Sequence, residues 1–231
     1  MKFVFQPIIE LRPRKLLGFE ALTRFDSGQG PAEVFAVARR EGRLLDLERA
    51  AISGIISASA ALPSGVLTTL NASGPTIDSF ASSGLKLDDR LVWGLELNEL
   101  SAPCVSETAR GMADTLGCLL LVDDAGVAHA TEDRILSLRP DIVKLDRSMI
   151  VGYEQSSEIR ELVDTLVVAA ARVGSKTLAE GIETTAQLEL AETLGFDYVQ
   201  GFYFSPGQPP TRIASTLQDL HRRFGIDVPG F

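Results

Sequence analysis

At 231 residues and 45% hydrophobic, the chain has material for one substantial core, housed in a single α/β barrel or in two small domains. Its net charge is −9 and it carries no Lys/Arg block, which excludes general attraction to DNA, RNA or anionic lipid. An anionic ligand would have to be met by local cations, whether side chains or metals. Cys104 and Cys118 show neither metal-ligand nor redox spacing, so both are expected reduced, in a cytoplasmic protein. No apolar run approaches the length of a membrane span, and no signal peptide precedes Phe3. Whether the chain stands alone or is part of a longer protein with further signalling domains stays open.

In chain order, Phe3 to Ile9 reads as a strand, Leu11 to Lys15 as a turn and Leu17 to Phe25 as a second strand. The short connection makes the pair antiparallel. Pro31 to Leu62 reads as two helices broken near Gly42. Strands centred on Thr69, Gly94, Leu120, Val143, Leu178 and Val199 then alternate with helical patterns. The clearest of these is Ile159, Leu162, Val163, Leu166, Val167 and Ala170, with three-and-four spacing. Pro209 to Phe224 closes the chain as a helix with proline near its start. Such alternation argues for a parallel sheet. Eight strands in this length fit a closed barrel whose functional face lies where strands run out into helices. The expected fold is α/β, a modified TIM (β/α)8 barrel with an antiparallel opening strand pair, forming one domain over residues 1–231.

Polar residues stand at the far ends of the short apolar runs: Asn71, Glu96, Asp123 with Asp124, Lys144 with Asp146, Glu180 and Gln200. In a barrel these ends meet at one rim. Carboxylates packed there repel one another, and multivalent cations relieve the repulsion. Most of these residues also have a plainer role. The paired aspartates suit a helix N-cap and a solvated acid, and Asn71 suits a cap on the turn at Ala72-Ser73-Gly74. Glu20 lies inside an apolar stretch and needs a cation. That cation is Arg24, on the same strand face, or a metal; alternatively Arg24 neutralises a phosphate. Lys144 either snorkels and pairs with Asp146 or points into the mouth toward a phosphate or the attacking water. Glu99 and Glu183 suit loop or helix-start acids. His129 reads as solvated or packed rather than as a ligand, and His221 is given no role. Gly201 fits a close ligand approach or a simple turn. The chain has no phosphate-cradling Gly-rich loop and no persuasive Ser/His/Asp spacing.

Seven segments, in this order, resemble the EAL-domain family of cyclic di-GMP phosphodiesterases. They are Glu20-Ala21-Leu22-Thr23-Arg24, Leu70-Asn71-Ala72-Ser73, Leu95-Glu96-Leu97-Asn98-Glu99, Val122-Asp123-Asp124, Val143-Lys144-Leu145-Asp146, Ala179-Glu180-Gly181-Ile182-Glu183 and Gln200-Gly201-Phe202-Tyr203. Phe5-Gln6-Pro7-Ile8 resembles the family's opening strand. The resemblance implies a modified TIM barrel and hydrolysis of cyclic di-GMP to linear pGpG by two-metal activation of water, with Mg²⁺ or Mn²⁺. It implies that Ca²⁺ supports binding without turnover. By position, Glu20, Asn71, Glu96, Asp123, Asp124 and Glu180 match metal ligands, with Asp123 bridging. Lys144 matches the lysine beside the catalytic water, and with Glu20 and Glu180 it makes up the catalytic set. Gln6 and Arg24 match contacts to guanine and phosphate. Gln200 matches a residue near the metals and Asp146 an accessory acidic position, both assigned to the substrate side. Glu99 matches the acid that steadies the loop after the aspartates, and Glu183 an accessory acid grouped with it. That loop departs from the family pattern. It reads Ala125-Gly126-Val127-Ala128-His129-Ala130, where Phe-Gly, then Thr or Ser, Gly, Tyr and Ser are common. The family often dimerises beside this loop, which extends to a homodimer here. The alternative the departure leaves open is a weak or inactive domain acting as a cyclic di-GMP receptor or protein-interaction module.

Overall fold

The computed structural model describes residues 1–83, 86–97, 105–126 and 132–230, without the side chains of residues 81–83, 105–107 and 124. Eight strands close into a barrel in chain order. They are β1 (Lys2–Glu10), β2 (Lys15–Arg24), β3 (Leu67–Ala72), β4 (Val92–Leu97), β5 (Leu119–Ala125), β6 (Ile142–Leu145), β7 (Lys176–Ala179) and β8 (Tyr198–Gln200). β1 runs antiparallel to both its neighbours, β2 and β8, and every other pair is parallel. The expected barrel with its antiparallel opening pair is the observed fold.

Helices fill the connections: α1 (Pro31–Arg40), α2 (Leu44–Ala58), α3 (Gly74–Ser83), α4 (Val105–Leu116), α5 (Glu132–Leu138), α6 (Arg147–Gly152), α7 (Ser157–Val173), α8 (Thr185–Thr193) and α9 (Ile213–Phe224). Their ends follow local chemistry. The Ser156 hydroxyl accepts from Ile159 N to start α7, and Gly174 ends it at φ +80°, where only glycine sits without strain. A reciprocal Thr184–Gln187 capping box starts α8 immediately after Glu183. The last helix begins later than its sequence pattern suggests. Pro210–Arg212 forms a 3-10 turn and α-helix starts at Ile213; Pro209 stays extended at ψ 158°, because the ring of the following proline disfavours helical backbone in the residue before it.

Side chains alternate across each strand, so the barrel wall has two faces. Phe5, Phe19, Leu70, Leu95, Leu120, Val122, Val143 and Val199 join the large core between wall and helices. Ile8, Leu67, Leu121, Ile142 and Leu178 form a separate apolar plug inside the barrel. That plug is the floor on which the polar mouth rests.

Candidate functional site

Strand register decides which polar residues meet. Gln6 pairs with Glu20, Glu20 with Thr69, Asn71 with Glu96, Glu96 with Leu121, Leu121 with Ile142, Lys144 with Leu178, Leu178 with Tyr198 and Gln200 with Ile8. Each step to the next polar residue is a direct partner or lies two residues further toward the same end of the barrel, with a register shift between Val122 and Ala125 and with Glu180 one residue past the end of β7. Even offsets keep a side chain on one face. Gln6, Glu20, Asn71, Glu96, Asp123, Lys144, Glu180 and Gln200 therefore all face the barrel interior, in one ring above the apolar plug.

Lys144 is the hub of this ring. Its Nζ lies 2.8 Å from Asp123, 2.9 Å from Glu180, 3.0 Å from Glu96 and 3.5 Å from Glu20. The residue is fully buried, so it does not snorkel. Asp146 is elsewhere, accepting from Ser148 N as the cap of α6. Glu20 is buried, and its partners are Lys144 and the Gln200 amide, which donates to Glu20 Oε2 at 2.6 Å. Arg24 is not its counter-ion: the guanidinium donates to the Thr23 carbonyl.

Electrostatics follow from this crowding. An ammonium has three N–H donors and no acceptor, so it cannot serve four carboxylates fully. With all groups ionised the cluster keeps three negative charges in excess. Burial alone would depress Lys144, but the fields of Asp123, Glu180, Glu20 and Glu96 outweigh it and hold the ammonium well above the ordinary lysine range. Burial raises Glu96 to about 8, with Lys144 opposing and Glu20 and Asp123 adding to the rise. Burial likewise lifts Glu180 well above the carboxylate range, against Lys144 and with Asp123 and Glu20. Glu96 Oε1 and Gln200 Oε1 are buried and accept no hydrogen bond. Asp123 Oδ1 touches Lys144 off hydrogen-bond geometry.

This donor set suits a hard divalent cation. It is all oxygen, strongly negative and left with unused buried lone pairs. Among the described residues, no three His, Cys, Asp or Glu side chains stand at the spacing of a metal group. The carboxylates converge on the Lys144 ammonium instead. Asn71 belongs with them, its Nδ2 donating to Glu96 Oε2 at 3.2 Å.

Beside the ring opens a cleft of about 290 Å³, lined among others by Glu20, Arg24, Phe35, Arg39, Asn71 and Asp123. It joins carboxylates at one end to two guanidinium groups. Gln6 flanks Glu20 on β1 and donates to the Ser205 carbonyl at 3.4 Å. Glu183 lies off the ring, in a forked pair with Arg147 at 2.5 and 2.8 Å. Gly201 is explained by packing rather than by a ligand: a Cβ there would stand 2.0 Å from the Ile182 carbonyl oxygen. The backbone of Ile182, just before Glu183, is thus pressed against the residue after Gln200. Glu99, Cys104 and His129 lie outside the described residues, and the Asp124 side chain is not described. One acid that sequence reasoning missed is Glu48, buried on α2 and bordering the cleft. Its signal was there: it replaces an apolar residue in the stripe Leu44, Ala51, Ile52, Ile55.

Residues 1–207 match the sequence profile of the EAL domain family. The Escherichia coli (strain K12) protein named probable cyclic di-GMP phosphodiesterase PdeG is 25% identical over 87% of this chain and 43% of its own length. Cyclic di-GMP phosphodiesterase PdeL from the same strain is 29% identical over 55% of this chain and 36% of its own length. The chain thus spans less than half the length of these curated relatives. Klebsiella pneumoniae BlrP1, solved as a calcium/cy-diGMP complex, superposes with a TM-score of 0.74 at 23% identity, covering 90% of this chain and 56% of that one. At that identity the likeness speaks for the fold. With the profile covering all eight strands and the whole polar ring, the chain belongs to the EAL domain family.

Proposed function

We propose that this chain is a phosphodiesterase that hydrolyses cyclic di-GMP to linear pGpG with two divalent cations, Mg²⁺ or Mn²⁺. One observation carries the reading: a closed register of inward-facing oxygen donors around one buried lysine, beside a cleft that also presents Arg24. Glu20, Asn71, Glu96, Asp123, Asp124 and Glu180 would hold the cations. Bound there, divalent cations supply water of lowered pKa and offset the charge that develops on the attacking and leaving oxygens.

The chain's own groups have separable tasks. Lys144 stays charged and carries only donors, so it orients the attacking water and holds the carboxylates; it is not a base. Arg24, exposed and, among the described residues, bonded only to a carbonyl, offsets phosphate charge. Gln6 offers an amide to a guanine edge, and Gln200 fixes the orientation of Glu20 through its 2.6 Å bond. Asp146 and Glu183 anchor the segments after β6 and β7, through the cap of α6 and the Arg147 fork. Water oxygen forms the new bond to phosphorus as the phosphorus bond to one ester oxygen of the ring breaks; the water gives up a proton and the departing oxygen takes one up, so the ring opens to a linear dinucleotide bearing a terminal phosphate.

The test is to incubate purified protein with cyclic di-GMP and Mg²⁺ or Mn²⁺ and to follow pGpG by chromatography. Product that vanishes in chelator and in Glu20→Ala and Asp123→Ala supports the reading; turnover unchanged in either variant removes that residue from the mechanism. The sequence Ala125 to Ala130, unusual after paired aspartates, favours a second reading as a receptor. Calorimetric binding of cyclic di-GMP in Ca²⁺, without product in Mg²⁺ or Mn²⁺, would select it. Among the described residues no helix is long and apolar enough to cross a membrane, and the proposed setting is cytoplasmic, as a homodimer.

A further inference from the structure

Glu48 sits on the inward stripe of α2 with Ala51, Ile52 and Ile55, and is 6% exposed. A buried carboxylate without a cation is costly unless donors replace water. Here, among the described hydrogen bonds, one oxygen collects all of them. Oε2 accepts from Ser73 N at 3.2 Å, from Ser73 Oγ at 2.6 Å and from Thr76 Oγ1. Ser73 directly precedes α3 and Thr76 lies in its first turn. Free N–H groups and the helix dipole favour an anion at that end. Glu48 therefore caps α3 from the neighbouring helix, a task the Ser73 hydroxyl leaves open by donating outward.

This cap lies two residues from Asn71. β3 ends at the buried Ala72 and the buried Ser73 alone connects it to α3, so the corner has little freedom once Ser73 is fixed. Asn71 in turn donates to Glu96 in the ring. A continuous path of contacts thus runs from α2 through Glu48 and Ser73 to Asn71 and Glu96. We propose that Glu48 is a positioning residue for the cation cradle, holding the β3–α3 corner so that the Asn71 amide oxygen faces the cations. The proposal rests on the reading of Asn71 as a cation ligand. Groups that orient a ligand typically change metal affinity by about 10–100-fold when removed.

The experiment is Mn²⁺ titration of the full chain by calorimetry, without nucleotide, alongside thermal melting in chelator and steady-state turnover. Glu48→Ala is expected to raise the Mn²⁺ dissociation constant about tenfold or more and to lower kcat with little change in KM. Glu48→Gln keeps an acceptor for Ser73 and is expected to return the constant to within about threefold of the parent. Asp141→Asn is the stability control, because Asp141 accepts from Leu120 N and Arg110 just before β6, at the opposite end of the barrel. It should lower the melting temperature and leave Mn²⁺ affinity alone. If Glu48→Ala loses melting temperature while holding the parent Mn²⁺ affinity, as the control does, Glu48 is only a helix cap and the proposal falls. Should Glu48→Ala not fold, Ser73→Ala and Thr76→Val, which each remove one donor, carry the same comparison. Asn71→Ala separates the two layers. Unchanged affinity there overturns the ligand reading and this proposal with it; weakened affinity there, with none in Glu48→Ala, overturns this proposal alone.

Discussion

Replacing Lys144 by methionine takes the one positive charge out of the ring and keeps the side chain's bulk. Four carboxylates lie 2.8 to 3.5 Å from the Nζ, and Lys144 and Glu96 are wholly buried. Removing one partner of a buried ion pair costs about 3–5 kcal/mol, because the remaining charge is left uncompensated. For a chain of this size each kcal/mol lowers Tm by about 2–4 °C, so the loss is about 6–20 °C. The carboxylates can escape part of the cost by taking up protons, which is easier at lower pH. The Tm difference between parent and Lys144→Met should therefore be large in chelator at pH 8 and smaller at pH 6. Excess Mn²⁺ should close much of the gap by supplying the missing charge. Differential scanning fluorimetry at both pH values, with chelator and with Mn²⁺, reads all three effects. A Tm within about 2 °C of the parent in chelator at pH 8 would refute the reasoning, as would a difference independent of pH.

In chelator, the parent should lose stability as pH rises from about 4.5 to about 8. Glu96 holds its proton in the folded state to about 8 but ionises near 4.5 when unfolded, and Glu180 is raised in the same direction, so the folded state binds more protons in that window; the share of Glu96 alone is at most about 5 kcal/mol. Lys144 is charged in both states there and adds no slope; denaturant melts at stepped pH, flat across the window, would refute this. Arg24→Ala should lower kcat/KM about 10–150-fold, the worth of a hydrogen bond to a charged group at about 1.5–3 kcal/mol, with Tm unchanged because, among the described residues, the guanidinium has only a carbonyl partner. Gly201→Ala should destabilise by about 1–3 kcal/mol, since its Cβ would stand 2.0 Å from the Ile182 oxygen and 2.3 Å from its nitrogen; a melting curve matching the parent would mean that the backbone yields freely.

Much of the fold was legible because its signals are local. The hairpin, the strand centres and the α7 periodicity all depend on residues close in sequence, and each appears where its pattern places it. The ring was legible in part, since polar residues ending apolar runs mark one rim once the strands are parallel. Which groups pair within it was not. The offsets that bring Lys144 equally near Asp123, Glu180 and Glu96 come from register across the barrel, and no single segment carries register. That is why Asp146, two residues along and on the same nominal face, looked as good a partner. The strand ends at Leu145, and Asp146 turns away to cap α6. Gly201 misled for a related reason, because the neighbour that forbids a side chain there, Ile182, belongs to a different connection. Glu48 interrupts the apolar stripe of its helix, but beside Leu44-Leu45-Asp46-Leu47 it reads as one more helix acid until the whole stripe is laid out.

Acids at the two ends of this barrel show why residue type alone does not mark a site. Asp141 and Asp197 precede β6 and β8, at the end away from the ring. Asp141 accepts from Leu120 N at 2.7 Å and Arg110 at 2.8 Å, and Asp197 from Thr177 N at 2.9 Å and Lys176 at 2.7 Å. Backbone N–H groups and their own cations satisfy them, so they tie strands and helices together and have nothing left to offer a ligand. At the mouth, Glu20, Glu96, Asp123 and Glu180 share one ammonium, and among the described hydrogen bonds no backbone N–H reaches them. A fold selected for stability alone would have no reason to bury that excess charge. The unmet demand lies at the C-terminal end of the strands, where barrel function is built, while the met demand lies where stability is built. It is the failure of satisfaction around Lys144, more than the presence of carboxylates, that supports the proposed cation cradle.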